Sequence, residues 1–200
     1  MSELGFAYQN IRDFEMALIY HLDAIRLREL MPTVNQKSMA FSLLGLANAY
    51  WGLDNLPEAL NYAKRALSLN KSVDCENDQN IAASLAVLGN IYHHLGDNAR
   101  ALDSANQALV ILERYASSDP SSVVTLLNNI GAIQVSLGML NDAQLTFIRV
   151  LNIYGKTLPE GHYIRSTIEV NLQRITQMNL LRMKNSFDRF RDLWTKSLLF

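Results

Sequence analysis

Apolar and polar residues alternate along this chain with a helical period, and the alternation itself repeats. In the stretch that shows it best, Leu85, Leu88, Gly89 and Tyr92 recur at spacings of three, four and seven. That spacing draws one apolar face along an α-helix. After a short break Ala101, Ala105 and Ala108 do the same. The pattern predicts a helix A over 80–95 and a helix B over 98–114. Between them stands His94-Leu95-Gly96-Asp97. Gly96 permits the left-handed backbone that ends a helix. Asp97 can cap the next one by accepting a backbone N–H.

The same unit recurs every 42 residues. Ala17, Ala59, Ala101 and Ala143 are equally spaced, as are Gly5, Ala47, Gly89 and Gly131. Tyr8, Tyr50 and Tyr92 keep the step until Gln134 breaks it, and the cap position reads Asp13, Asn55, Asp97 and Met139. One fixed period is the signature of a stacked repeat array. The alanines seven apart, such as Ala17 with Ala24 and Ala59 with Ala66, share a face and let helix B approach its neighbour closely. The glycine series does the same for helix A. These small residues read as packing.

Leu88-Gly89-Asn90-Ile91-Tyr92, followed by Gly96, Ala101 and Ala108, resembles the tetratricopeptide repeat (TPR). Leu4-Gly5 with Tyr8, Leu46-Ala47 with Tyr50, and Ile130-Gly131 with Gln134 are successively looser copies. The usual unit is about 34 residues. The longer one here is similar to those of kinesin light chains and nephrocystin-type proteins, as is the run Thr125-Leu126-Leu127-Asn128-Asn129-Ile130-Gly131. Asp119-Pro120 resembles their inter-repeat link. The resemblance implies an all-α fold, a right-handed TPR α-solenoid of helix-turn-helix repeats. It places the solenoid at 1–180, with repeats over about 1–36, 37–78, 79–120 and 121–160 and a partial helix over 161–180. A fifth helix A is expected from Tyr163 to Met178. Met1 falls on the fourth helix A position, so the first turn is missing, as expected of a fragment of a longer array or of a gene model with a wrong start.

Composition narrows the class of function. The chain of 200 residues is 49% apolar and 18% charged, with net charge −1 and a pI near 6.4. A nucleic-acid binder should carry a basic face, so that class is not expected. No apolar run reaches the ~18–20 residues of a transmembrane helix. One cysteine, Cys75, cannot form an internal disulfide; with no secretory signal, a cytoplasmic setting is expected. Asp74 and Glu76 flank that thiol and would raise its pKa, which disfavours a nucleophile. No phosphate loop, Ser-His-Asp set or Cys-x-x-Cys is visible. The expectation is no enzyme activity, no cofactor and no metal.

The family's concave groove is lined by helix A. By alignment the peptide-binding candidates are Asn48, Trp51, Asn90, His93, Asn128, Asn129 and Asn171, beside Phe41, Leu44 and Arg174. Asparagine is a poor helix former, yet five stand mid-helix here. A carboxamide donates and accepts, so it can grip the backbone of an extended peptide; the plainer alternative is that it bridges adjacent repeats or faces water. No groove position of repeats 2 to 4 is charged, so a protein or peptide ligand that is not strongly acidic is expected. That puts the carboxylate clamp of chaperone-binding relatives, and the acidic cargo of kinesin light chains, out of place. His93 and His94 lack the spacing of a metal pair. His21 reads as a packed core histidine and His162 as solvated.

The tail over 181–200 leaves the repeat pattern. Met183, Phe187, Phe190 and Trp194 form a helical stripe among basic residues, read as a capping helix laid on repeat 5, as a basic amphipathic helix for a partner or a membrane surface, or as disorder or a mistranslated end. Homo-association through the tail or the incomplete first repeat is a further expectation. The reading is a protein–protein interaction scaffold. Its alternatives are a kinesin light chain-like cargo adaptor and a regulatory region cut from a multidomain enzyme.

Overall fold

The computed structural model describes residues 1–31, 35–73, 79–115, 120–154 and 163–197, excepting the side chains at 73, 154, 163–164 and 190–197. The expectations for Cys75, Asp119 and His162, and for the side chains of Phe190 and Trp194, lie outside the described residues. The described residues form helices and no strand. They are α1 (Ser2–Asn10), α2 (Phe14–Glu29), α3 (Gln36–Gly52), α4 (Leu56–Val73), α5 (Gln79–His94), α6 (Asn98–Leu112), α7 (Pro120–Ser136), α8 (Leu140–Tyr154) and α9 (Tyr163–Ser197). A 3-10 turn, Glu113–Tyr115, extends α6. The chain divides into two compact units, Met1–Asn129 and Ile130–Phe200, the division falling within the sequence of α7.

In the first unit α1–α2, α3–α4 and α5–α6 are antiparallel hairpins, with α2 packed on α3 and α4 on α5. Each turn is built alike. Asp13 N–H bonds Tyr8 C=O and Arg12 N–H bonds Gln9 C=O, and the same pair of bonds closes α3 and α5. This is the Schellman arrangement, which requires a left-handed residue. Arg12 (φ 63°), Asp54 (φ 59°), Gly96 (φ 78°) and Gly138 (φ 72°) fill that place, each 42 residues from the last. The sequence marks only the two glycines. Asp13, Asn55 and Asp97 then cap the following helices through Met16, Glu58 and Arg100 N–H.

Ala17, Ala59, Ala101 and Ala143 are fully buried, as are Ala66 and Ala108. Opposite the glycine series lies a second periodic row: His21, Ala63, Ala105 and Phe147. Where helix A carries Gly5 or Gly131, helix B carries a ring, and a Cβ on either glycine would strike it. Where Ala or Gly faces Ala, the helices meet through methyl groups. The facing pair is thus glycine with a ring in hairpins 1 and 4, and Ala or Gly with Ala in hairpins 2 and 3.

The broken tyrosine series has a similar account. Tyr8 stacks on Tyr20 and Tyr50 on Tyr62, with centroids 5.2 and 5.4 Å apart. In register, Gln134 and Thr146 replace such a pair, and Thr146 Oγ1 donates to Gln134 Oε1 at 2.8 Å. A hydrogen bond stands where hairpins 1 and 2 stack rings.

Polar contacts join successive hairpins. Arg28 Nη1 donates to Ser42 Oγ at 2.6 Å and Ser2 Oγ at 3.0 Å. One period on, Asn70 Nδ2 donates to Ser84 Oγ at 3.0 Å and to the Asn80 carbonyl at 3.2 Å. The next period holds Leu112 and Leu126, both buried.

In the second unit α8 packs on α9, and Ile168 and Ile175 bury the contact face of α9. The expected fifth helix A does not stop at Met178. The backbone continues as one helix to Ser197, because 163–197 contains neither glycine nor proline to end it. Leu180, Leu181, Met183 and Phe187 are exposed along it. Among the described residues no helix is long and apolar enough to cross a membrane.

Candidate functional site

Asn90 on α5 and Asn129 on α7 face one another. Asn129 Nδ2 donates to Asn90 Oδ1 at 3.0 Å, and the pair is partly buried. They border a cavity of about 470 Å³ whose walls include Ala83, Ala86, Val87, Ser122 and Thr125. Gln79 and Ser121 also line it; they sit at helix starts, where the repeat register gives no warning of them. No Asp, Glu, Lys or Arg is in the lining.

The carboxamide bond ties the two side chains together across α5 and α7. Each amide has one group engaged and one left over. Among the described residues neither side chain makes a further hydrogen bond, so Asn90 Nδ2 and Asn129 Oδ1 remain available. Swapping O and N on both residues would exchange their roles and still leave one donor and one acceptor. That is the complement of one residue of an extended peptide, whose N–H donates and whose C=O accepts on the same side of the strand.

Asn48 and Trp51 line a second cavity, also about 470 Å³, with Gln9, Arg12, Phe14, Gly52, Asp54 and His94. By register Asn48 should pair as Asn90 does, but Val87 occupies the partner position and offers no polar atom. The Trp51 ring stands edge-on to His94 at 5.2 Å. Gln9 Nε2 donates to Gly45 C=O at 2.6 Å. Arg12 and Asp54, the two non-glycine residues with left-handed backbone, both reach this cavity. The period of the turn position links them to Gly96 and Gly138, the one signal in the sequence that could have found them.

The other candidates are placed differently. His93 Nδ1 lies 2.7 Å from Asn98 Oδ1, engaged within its own hairpin. Asn128 is half-buried, and its Oδ1 is enclosed with no hydrogen-bond partner. Asn171 belongs to the second unit and is half-buried on α9. Leu44 is buried in a core cluster with Leu43 and Ala66, while Phe41 stays exposed against Phe6.

His21 is fully buried in hairpin 1, its Nδ1 without a partner. Burial, then the nearby Arg28 charge, lowers its pKa from 6.5 to about 4. It is therefore a neutral packing group, as its place on the small-residue face suggests. Asp97 lies below the usual carboxylate range because Arg100 donates to it at 2.5 Å; this pair locks a turn and lines neither cavity. Among the described residues no group of His, Cys, Asp and Glu is placed to hold a metal.

Residues 38–114 match the family described as Tetratricopeptide repeat. No curated protein matches the sequence. Solved structures match the fold. BtubC (BKLC) from P. vanneervenii superposes with TM-score 0.75 at 21% identity, over 87% of this chain and 69% of that one. The nearly identical TPR-like repeats of a putative kinesin light chain from Podosopora anserina give 0.74 at 20%, over 98% and 94%. The first TPR of Spaghetti (RPAP3), bound to the HSP90 peptide SRMEEVD, gives 0.54 at 17%, over 70% and 93%.

Proposed function

We propose that this chain, whose residues 38–114 match the tetratricopeptide repeat, is a protein–protein interaction scaffold that binds an extended peptide segment in the groove between α5 and α7. The observation that carries this reading is the Asn90–Asn129 pair, which leaves one donor and one acceptor over an uncharged cavity. In an extended strand the N–H and C=O of every second residue face the same side, and main-chain bonds of this kind hold peptides irrespective of sequence. The small residues Ala83 and Ala86 leave room for side chains of the ligand.

The ligand is neutral where it crosses α5 and α7. A lining without Lys or Arg offers an acidic peptide nothing in exchange for its desolvation. The peptide bound by Spaghetti carries two glutamates and an aspartate within SRMEEVD; the groove here does not suit that ligand. Asn48 and Trp51 would receive the next segment, with Trp51 as an apolar anchor.

The test is selection from a displayed library of random peptides, followed by counter-screening with two variants. Ala83→Arg puts a long charged side chain into the groove and should abolish capture of the selected peptides. Asn106→Arg adds the same charge on the exposed surface of α6 and should leave capture intact. Equal capture by both variants would place the binding surface elsewhere.

A further inference from the structure

Gln9 ties the interior of hairpin 1 to the second cavity. Its Nε2 donates to Gly45 C=O at 2.6 Å and lies 3.4 Å from His21 Nε2. Turning the amide over would set its oxygen against a carbonyl, two acceptors with no hydrogen between them. The amide nitrogen therefore points inward, and Oε1 is the atom left for the cavity that Gln9 lines. Among the described residues Oε1 has no hydrogen-bond partner and is not enclosed. Trp51 Nε1, a donor only, is likewise unbonded and open. One period on the polar groups are engaged: His93, the counterpart of Trp51, holds Asn98, and Asn90, the counterpart of Asn48, holds Asn129. Gln9 reaches across to α3, so this cavity lies between hairpins and not at an uncovered end.

The rest of the lining is largely aromatic. The Phe14 ring lies over the backbone of α3, where a Cβ on Gly52 would strike it. Arg12 and Asp54 border the cavity with opposite signs, so their charges together favour neither a carboxylate nor an ammonium. We propose that this cavity reads one residue of the bound peptide as a tyrosine, and that Gln9 is the specificity-determining residue for its hydroxyl. The inference rests on the peptide-binding reading above. A phenol ring offers apolar area to Phe14 and Trp51. Its hydroxyl can donate to Gln9 Oε1 and accept from Trp51 Nε1, using both open groups. Phenylalanine would leave both unpaired, and tryptophan, a donor only, would leave the Trp51 N–H unpaired. Along α5, His94 of this cavity stands one turn, about 6 Å, beyond Asn90. Neighbouring helices lie about 8–10 Å apart. At about 3.3 Å per residue, the tyrosine falls roughly three or four residues from the one gripped by Asn90 and Asn129.

The test uses peptides selected from the displayed random library, sorted first by whether Ala83→Arg abolishes their capture. Those that depend on the groove should share a tyrosine at a fixed place. Replacing that tyrosine by phenylalanine should weaken binding to the wild type roughly tenfold. Against Gln9→Met, which keeps the length of the side chain without its acceptor, the same replacement should cost about threefold or less, because the partner is already gone. Trp51→Phe removes the N–H, keeps a ring and leaves the Gly45 contact intact, so it gives a second cycle with the same expectation should Gln9→Met fail to fold by circular dichroism. Groove-dependent peptides that bind as well with phenylalanine overturn this inference and leave the groove standing. A tyrosine effect that both variants leave unchanged also overturns it, since the hydroxyl is then read elsewhere. Capture indifferent to Ala83→Arg overturns both.

Discussion

The ring of Phe147 occupies the space that a Cβ on Gly131 would need: the built atom falls 2.6 Å from Phe147 Cζ. Phe147 is fully buried, so its ring cannot swing into solvent. Gly131→Ala should destabilise the second unit by about 1–3 kcal/mol through overpacking, less up to about 1 kcal/mol regained in helix propensity. Gly89→Ala meets nothing closer than Ala101 O at 3.3 Å, with Ala105 Cβ and N at 3.5 Å, and should be much milder. Urea unfolding of the two variants checks the contrast. Gly131→Ala combined with Phe147→Leu should show clear non-additivity, because the two residues share one space.

His21 gives the protein an acid-side weakness. Its pKa falls from 6.5 to about 4 on folding. Between those values the unfolded chain binds a proton that the folded chain refuses, so stability is fully present above pH 6.5 and is lost as pH falls toward 4. The loss attributable to this residue is at most about 3 kcal/mol. His21→Phe removes the titration while keeping a ring under Gly5. Unfolding midpoints measured across this pH window should fall less steeply in the variant. Parallel slopes would show that carboxylates alone set the acid limit.

The turn positions make a third case. Arg12 and Asp54 hold a left-handed backbone that costs an L-residue about 1–2 kcal/mol. Glycine there should raise stability by about 0.5–1 kcal/mol after its own entropic cost. The effect should be larger for Arg12→Gly than for Asp54→Gly, since Asp tolerates this conformation. Thermal unfolding checks the order. Gly96→Ala, in the same register, should move the other way.

How much of this was legible in the sequence follows from the same residues. A period of 42 fixed the hairpins, the buried alanines and the caps, because stacking imposes the same contact at the same position each time. It could not show that Arg12 and Asp54 share the backbone of Gly96, since neither residue type announces φ > 0. Nor could it show that Gln134 and Thr146 replace a tyrosine pair, which is visible only across two helices. The repeat pattern places the end of the fifth helix A at Met178, but helix propensity continues past that point and α9 runs on to Ser197. The pairing of Asn90 with Asn129 was legible as facing positions; the hydrogen bond between them was only one of two open readings.

The peptide groove stands or falls with that pair. Once a bound peptide is in hand, its affinity should be titrated against the wild type and the Asn90→Ala, Asn129→Ala double variant at low and high salt. Each amide-to-backbone bond is neutral and worth about 0.5–1.5 kcal/mol, so the double variant should bind roughly 5- to 150-fold more weakly. With no charge in the lining, the affinity of the wild type should change little with salt. Undiminished binding by the double variant, or a steep fall with salt, would contradict the account and move recognition off α5 and α7.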